Sequence, residues 1–346
     1  MDPYARLDEL AAPLRADVLS GASEVSSRAA EILRNAAHEL PASSRAELRA
    51  MLGALAVRML EAQPSMAPLL ALVRSVLAAV EGSGEKPSGT PEPPEHEERA
   101  SAAQEARSAL RAARRAAAEA AAAFRDALET RTRAVAERAS KLLSTGGIVP
   151  AEGLVGTLSS SATVRTALLL HAGGWAGRVL CFESRPMAEG RVLARALAEA
   201  GIAVTYAVDA AIHVLAPSCD VILLGADSIG DRGVVNKIGS LGLVHAARSA
   251  GVPVYVLADQ TKILPRGVPQ PLDDHRPADE VWPRAPSGVT AWNHYFEAVP
   301  LALVTGVVTE SGTFGSDELE GVRSRLDLPG RLRTWAEGRA HRAPGA

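Results

Sequence analysis

The apolar positions change their period partway along the chain. Over residues 1–81 they recur at helical spacing. In SSRAELRAMLGALAVRMLEA, Leu48, Met51, Leu52, Leu55, Ala56 and Met59 share one face. Ser44 followed by Glu47 predicts a capping box at the start of that helix. Pro64 separates it from a second helical stretch, SMAPLLALVRSVLAAVEG. Residues 82–97, GSGEKPSGTPEPPEHE, hold too few apolar groups to bury a core and read as a mobile linker or loop. Residues 98–143 are rich in Ala, Arg and Glu and contain neither Gly nor Pro, which predicts one long helix.

From about residue 145 short Val/Leu/Ile runs alternate with helical segments. The predicted strands are 153–158, 177–182, 202–208, 220–224, 252–258 and 301–308. Near-continuous apolar strands separated by helices imply a parallel sheet covered on both faces. The expected fold class is therefore α/β: a helical N-terminal domain over 1–143, and a Rossmann-like parallel-sheet domain over 144–346.

Composition narrows the function. The net charge of -3 gives no basic field for nucleic acid or an anionic membrane. Aromatic residues make up only 3% of the chain, too few for base-stacking platforms. No apolar run reaches the roughly 18 residues of a membrane span, and the N-terminus lacks a signal-peptide core. Cys181 and Cys219 sit in strand-like runs with no metal-ligand spacing, as buried inert thiols would. A reducing cytoplasm, no membrane, no direct nucleic-acid contact, no metal and no cofactor are expected. Lysine occurs only at Lys86, Lys141, Lys237 and Lys262, and this scarcity makes Lys237 worth examining.

In an open parallel sheet, ligands bind beyond the carboxyl ends of the strands. Polar residues stand just after each predicted strand here: Ser159-Ser160-Ser161, then Glu183-Ser184-Arg185-Pro186, then Asp209, Asp227, Asp259-Gln260-Thr261-Lys262, and Thr309-Glu310. Together they outline a crevice for a small polyhydroxylated anion. Free amides at the start of ATVRTALLLHAG, after the serines, could hold a phosphate, as could a helix opened by Asn236-Lys237. Arg185 could pair with phosphate in bidentate fashion. The alternatives are an ordinary serine cap, a solvent-facing lysine and a structural ion pair.

Two nucleotide motifs fail. GADSIGDR has the glycine spacing of a P-loop but carries Asp231-Arg232 where the phosphate-gripping lysine belongs. No GxGxxG follows the first strand, so a dinucleotide site is unsupported. Asp227 ends a strongly apolar strand. A carboxyl in such surroundings holds its proton and can act as a general acid, or it can cap the following turn through its own side chain. Both readings stand at this level.

GADSIGDRGVVNKIGSLGLVHAARSAGVPVYVLADQTK resembles the signature of a superfamily with two branches. One holds the alpha, beta and delta regulatory subunits of translation initiation factor 2B. The other holds aldose-1-phosphate isomerases acting on methylthioribose 1-phosphate and ribose 1,5-bisphosphate. ESRPMAEGRVLARALAEAGIAVTYAVDAA and FEAVPLALVTGVVTESGTF resemble further family segments, and the likeness covers roughly residues 145–320. The resemblance implies that Asp227 is one acid/base group, that Asn236 and Lys237 grip phosphate, and that Ser159 stands where the isomerases carry their second group, a cysteine. Ser160 and Ser161 come next in the ligand frame, and Arg185 and Glu189 fall in the segment of E-(S/T)-R-P-x-x-Q-G type, with Glu189 in place of the Gln. An Arg-Gly-Ala of the family reads Ser20-Gly21-Ala22 here, and an Arg-Pro reads Gln63-Pro64. A homodimer pairing through the α/β domain is implied as well.

Two lost arginines and a gained carboxylate argue against a doubly phosphorylated or strongly anionic substrate at full affinity. The leading expectation is an initiation factor 2B alpha-like protein that binds a phosphorylated sugar or nucleotide in a sensing role. The alternatives are an aldose-1-phosphate isomerase using Asp227 with a replacement base, for which Asp209, Glu183 and Glu189 are candidates, and an oligomeric scaffold with an unused pocket.

Overall fold

The computed structural model describes residues 3–82, 96–145, 147–173, 175–272 and 276–326. Most of the segment expected as a linker, 83–95, lies outside the described residues. The chain divides into two compact units. One runs to Asp17 and includes Glu24–Gln63 and Leu69–Leu128. The other comprises Val18–Ser23, Pro64–Pro68 and the chain from Glu129.

Helices α1 (Pro3–Ala16), α2 (Ala22–Glu39), α3 (Arg45–Ala62), α4 (Ala67–Gly82) and the long α5 (His96–Thr145) precede any strand. All six residues assigned to the apolar face of α3 are buried. Ser44 caps that helix, accepting from the Glu47 amide at 3.1 Å. The expected capping box forms only that half, because the Glu47 carboxylate takes the amide and hydroxyl of Ser43 instead. Within the first unit, Arg114 donates to the carbonyls of Ala37, His38, Leu40 and Ala42, covering the carboxyl end of α2.

The second unit alternates β1 (Leu154–Leu158), α6 (Ala162–His171), β2 (Arg178–Phe182), α7 (Gly190–Glu199), β3 (Ala203–Ala207), α8 (Ile212–Leu215) and β4 (Val221–Leu224). Strands β5 (Ser228–Gly230) and β6 (Gly233–Lys237) come next, then α9 (Ser240–Ser249), β7 (Val254–Leu257), β8 (Phe296–Val299), β9 (Gly306–Val308), β10 (Thr313–Phe314) and α10 (Ser316–Arg323). The main sheet has the order β10-β9-β7-β4-β1-β2-β3. All neighbours in it run parallel except β10. Alternate strand residues feed two cores. Leu158, Leu180, Phe182, Ile222, Leu224, Val254 and Val256 pack with Leu243 and Val244 of α9. Val155, Val179, Cys181, Val221 and Leu223 pack with Val164, Leu168, Leu193 and Leu197 of α6 and α7 and with the end of α5. The α/β class is thus present, with helices on both faces of a parallel-dominated sheet.

Two expectations change. The strand predicted over 301–308 is only β9, because Leu301–Leu303 form a 3-10 turn after Pro300. The stretch Ser228–Lys237 is not a loop leading into a helix. It forms a β-hairpin that pairs with β8 in a separate three-stranded antiparallel sheet. No helix among the described residues is long and apolar enough to cross a membrane.

The hairpin depends on Gly233, whose φ is +99 and whose added Cβ would lie 2.2 Å from the Val299 carbonyl oxygen. Gly233→Ala should therefore cost at least about 2 kcal/mol, read as a lower urea midpoint. Gly242→Ala, in α9 with open space around it, should instead stabilise by roughly 0.5–1 kcal/mol.

Candidate functional site

Strand order reverses between β1 and β4, since β2 and β3 continue to one side and β7 and β9 to the other. The crevice at such a reversal opens at the carboxyl ends of the two central strands. β1 ends there on Ser159, at a φ of 69, followed by Ser160 and Ser161. Ser161 is the N-cap of α6 and accepts from the Val164 amide at 3.4 Å. β4 ends on Gly225-Ala226-Asp227. A Cβ on Gly225 would sit 2.8 Å from the Ser161 side chain and 3.9 Å from the Asn236 amide oxygen. Only glycine lets the end of β4 pass this close to the start of α6 and to β6.

Asp227 is fixed from three sides. Its amide donates to the Val235 carbonyl at 2.9 Å, its carbonyl accepts from the Ala67 amide at 3.0 Å, and its carboxylate accepts from the Ala22 amide. A Cβ on neighbouring Gly21 would reach the Ser160 carbonyl at 3.6 Å. Segments 18–23 and 64–68 thus join the strand ends within the second unit. Asp227 is 7% exposed, Lys237 5%, Glu189 4% and Lys262 3%. Burial pushes the Asp227 carboxyl up to about 6, against the opposing pull of the Lys262 and Lys237 ammonium groups. Its side chain bonds to Ala22 rather than to the turn after it, so the reading as a local turn cap is set aside.

Lys237 does not face solvent. Its ammonium is ion-paired with Glu189 and lies 4.3 Å from the Tyr295 ring centroid. Burial raises the Glu189 pKa, with Lys237 acting against it. Asn236 and Lys237 close β6 and do not open a helix: α9 begins at Ser240, after Gly239. Asn236 donates to the Ser240 hydroxyl at 2.9 Å, which in turn donates to the Lys237 carbonyl at 2.6 Å. The amides at the start of α9 are taken by the Glu297 carboxylate of β8, with Leu241 at 2.8 Å. That helix start is therefore not open to phosphate, in contrast to the expectation for Asn236-Lys237.

The other predicted residues divide. Asp209 accepts from the amides of Ser184 and Arg185 at 2.8 and 2.7 Å, and the Arg185 side chain is exposed. Glu183 is half-buried. Gln63 belongs to the first unit, where its side chain donates to the carbonyls of Leu14 and Asp17 at 2.6 and 2.8 Å. Both cysteines are buried, their thiols pushed up to about 12. The residue not assigned to the site from sequence is Lys262, enclosed and facing Asp227; its signal was its place after the fifth strand in a chain of few lysines. Among the described residues no cluster of three or more His, Cys, Asp or Glu could hold a metal.

The chain is 36% identical to the methylthioribose-1-phosphate isomerase of Gemmatimonas aurantiaca over 166 residues, covering 46% of this chain and 48% of that one. It is 34% identical to the 5-deoxyribose 1-phosphate isomerase of Moorella thermoacetica over 205 residues, covering 55% and 58%. The chain thus spans about half the length of the curated relatives it matches. The fold matches the crystal structure of the Pyrococcus horikoshii translation initiation factor eIF-2B, with a TM-score of 0.72 and 23% identity over 90% of this chain and 98% of that one. The model of the initiation factor 2 subunit family matches residues 18–316. With its strand reversal, its enclosed Asp227 and this match over most of its length, the chain belongs to the initiation factor 2 subunit family.

Proposed function

We propose that the pocket at the ends of β1 and β4 binds an aldose 1-phosphate and converts it to the ketose phosphate. One observation carries this reading: Asp227 is enclosed, keeps its proton to about pH 6, and sits beside two buried ammonium groups. The names of the curated relatives support the same reaction class. Ser160, Ser161 and the amides that open α6 are assigned to the phosphate, with Ser20, Gly21 and Ala22 beside them.

The isomerisation opens the sugar ring and moves one hydrogen from C2 to C1. A proton must reach the ring oxygen, and one must leave the C2 hydroxyl. Of the three candidate replacement bases, Asp209 is occupied by backbone amides, Glu189 by Lys237, and Glu183 lies partly in solvent. Ser159 has no titrating group in the neutral range. Asp227 alone closes the balance. Starting protonated, it gives its proton to the ring oxygen as the ring C1–O bond breaks. Hydride then passes from C2 to C1, the C2–O bond becomes a carbonyl, and the carboxylate takes the hydroxyl proton. Asp227 ends as it began.

Ser159 also favours a second reading, in which a hydroxyl in place of a thiol marks a pocket that holds a phosphorylated sugar or nucleotide without converting it, in a sensing role. Phosphorus NMR of the protein with ribose 1-phosphate separates the two. A growing ketose-phosphate resonance supports turnover, and line broadening alone supports sensing. Pairing of two copies through the α/β domain is part of either reading and is checked by sedimentation.

Under the isomerase reading, Asp227→Asn should lower turnover about 10²–10⁴-fold. Because the reactive form is protonated, kcat should be highest below pH 6 and fall about tenfold per pH unit well above it. A rate that rises with pH would overturn the single-carboxyl scheme. The same variant should be more stable. Folded Asp227 retains its proton to about pH 6, whereas an unfolded aspartate releases it near pH 3.9. The folded state binds more protons in that window, so stability declines as pH rises through it. Asp227→Asn should therefore gain on the order of 3 kcal/mol at pH 8 and little at pH 4, seen as a pH-dependent difference in denaturant midpoint.

A further inference from the structure

Glu189 takes no part in the proton transfers above, yet its carboxylate is enclosed beside them. Oε1 accepts from the Lys237 ammonium, while Oε2 is buried with no partner among the described residues. The Tyr295 and Phe296 rings lie 4.3 and 5.7 Å from the ammonium, which shields the pair from water. The ionisable groups facing Glu189 are Lys237 on β6, Asp227 at the end of β4, Asp209 after β3 and Tyr295 just before β8. Lys237 is the sole cation of that set, and Glu189 already neutralises it. A phosphate placed there would meet two further carboxyl groups and an ammonium already paired with Glu189, while the Lys262 ammonium is turned to Asp227 and the Arg276 guanidinium lies against the Tyr295 ring. An enclosed carboxylate oxygen, by contrast, is unfavourable until a donor reaches it.

We propose that Glu189 is a specificity residue, which restricts the pocket to sugars carrying a single phosphate and accepts at Oε2 a hydrogen bond from a neutral hydroxyl at the far end of the sugar. This rests on the pocket being a sugar-phosphate site. The discrimination works by repulsion as much as by attraction, since a second phosphate is turned away by the same carboxylate that receives the hydroxyl.

The test is calorimetric titration at pH 8, where Asp227 is ionised and turnover is slow. Wild-type protein and Glu189→Gln are each titrated with ribose 1-phosphate and ribose 1,5-bisphosphate. The wild type should prefer the monophosphate by about tenfold or more, given the cost of juxtaposed like charges. Glu189→Gln keeps the shape but frees Lys237, and should bring the two affinities within about threefold or invert them. Adding Lys237→Met to that variant should remove the gain for the bisphosphate. A wild type that binds the bisphosphate as well as the monophosphate overturns the assignment without any variant. A folded Glu189→Gln with the wild-type ratio overturns it too. If the wild type binds neither sugar, the sugar-phosphate reading falls and takes this assignment with it; a wrong ratio removes this assignment alone.

Discussion

A carboxyl can end a buried strand only if the fold supplies what water would have supplied. For Asp227 that supply comes from segments far apart in sequence. The Ala22 amide reaches its carboxylate, the Ala67 amide its carbonyl and the Val235 carbonyl its amide, and two ammonium groups face it. Each contact recruits a different piece of the second unit: 18–23, 64–68, the hairpin, and the turn after β7. Removing the carboxyl's partners would leave a charge in a dry site, a cost of several kcal/mol. The enclosure of this one group therefore dictates how these segments meet at the strand ends, and why Gly225 and Gly233 sit where a side chain would collide with a neighbour.

The local charges are nearly matched before any ligand enters. Lys237 answers Glu189, and Lys262 faces Asp227. Helices α6 and α9 both start near this edge of the sheet, and they are treated differently. At α9 the Glu297 carboxylate occupies the amides; at α6 a serine hydroxyl takes the Val164 amide and brings no charge. An anion arriving at the site thus finds the start of α6 more receptive than that of α9, although the sequence around α9 looked the more basic of the two.

Most of the main sheet was legible because buried parallel strands read as unbroken apolar runs between helices. The two cores show why: alternate residues of the central strands pack to opposite faces, so both faces call for mostly apolar side chains. The hairpin was not legible. GADSIGDRGVVNKIGS carries glycines and charges at a density that reads as a loop, and β5 and β6 have just three and five residues. Its strand character comes from pairing with β8, some sixty residues on, which no local pattern reports. Asp227, Glu189 and Lys237 were each legible as chemistry, but the ion pair between the last two was not, because it joins α7's approach to β6 across the fold. Lys262 was visible as one polar strand end among others, in a chain of few lysines.

On the proposed isomerase reading, a serine at position 159 in place of a thiol removes a second acid–base group without obliging the pocket to lose its chemistry. A pair of groups is needed when one must be protonated while the other is not. A single carboxyl suffices when the proton given and the proton taken pass in sequence and the migrating hydrogen never leaves the sugar. That scheme sets a narrow condition on the group: its pKa must lie high enough to populate the acid near neutrality, and low enough for the carboxylate to persist until the hydroxyl proton arrives. Burial alone would overshoot that condition, and exposure would leave the carboxyl fully ionised. Lys237 and Lys262 pull against desolvation and hold Asp227 between those limits. The ammonium groups are thus better understood as setting the proton affinity of Asp227 than as grips for phosphate, and Lys237, already paired with Glu189, has little charge left for anything else.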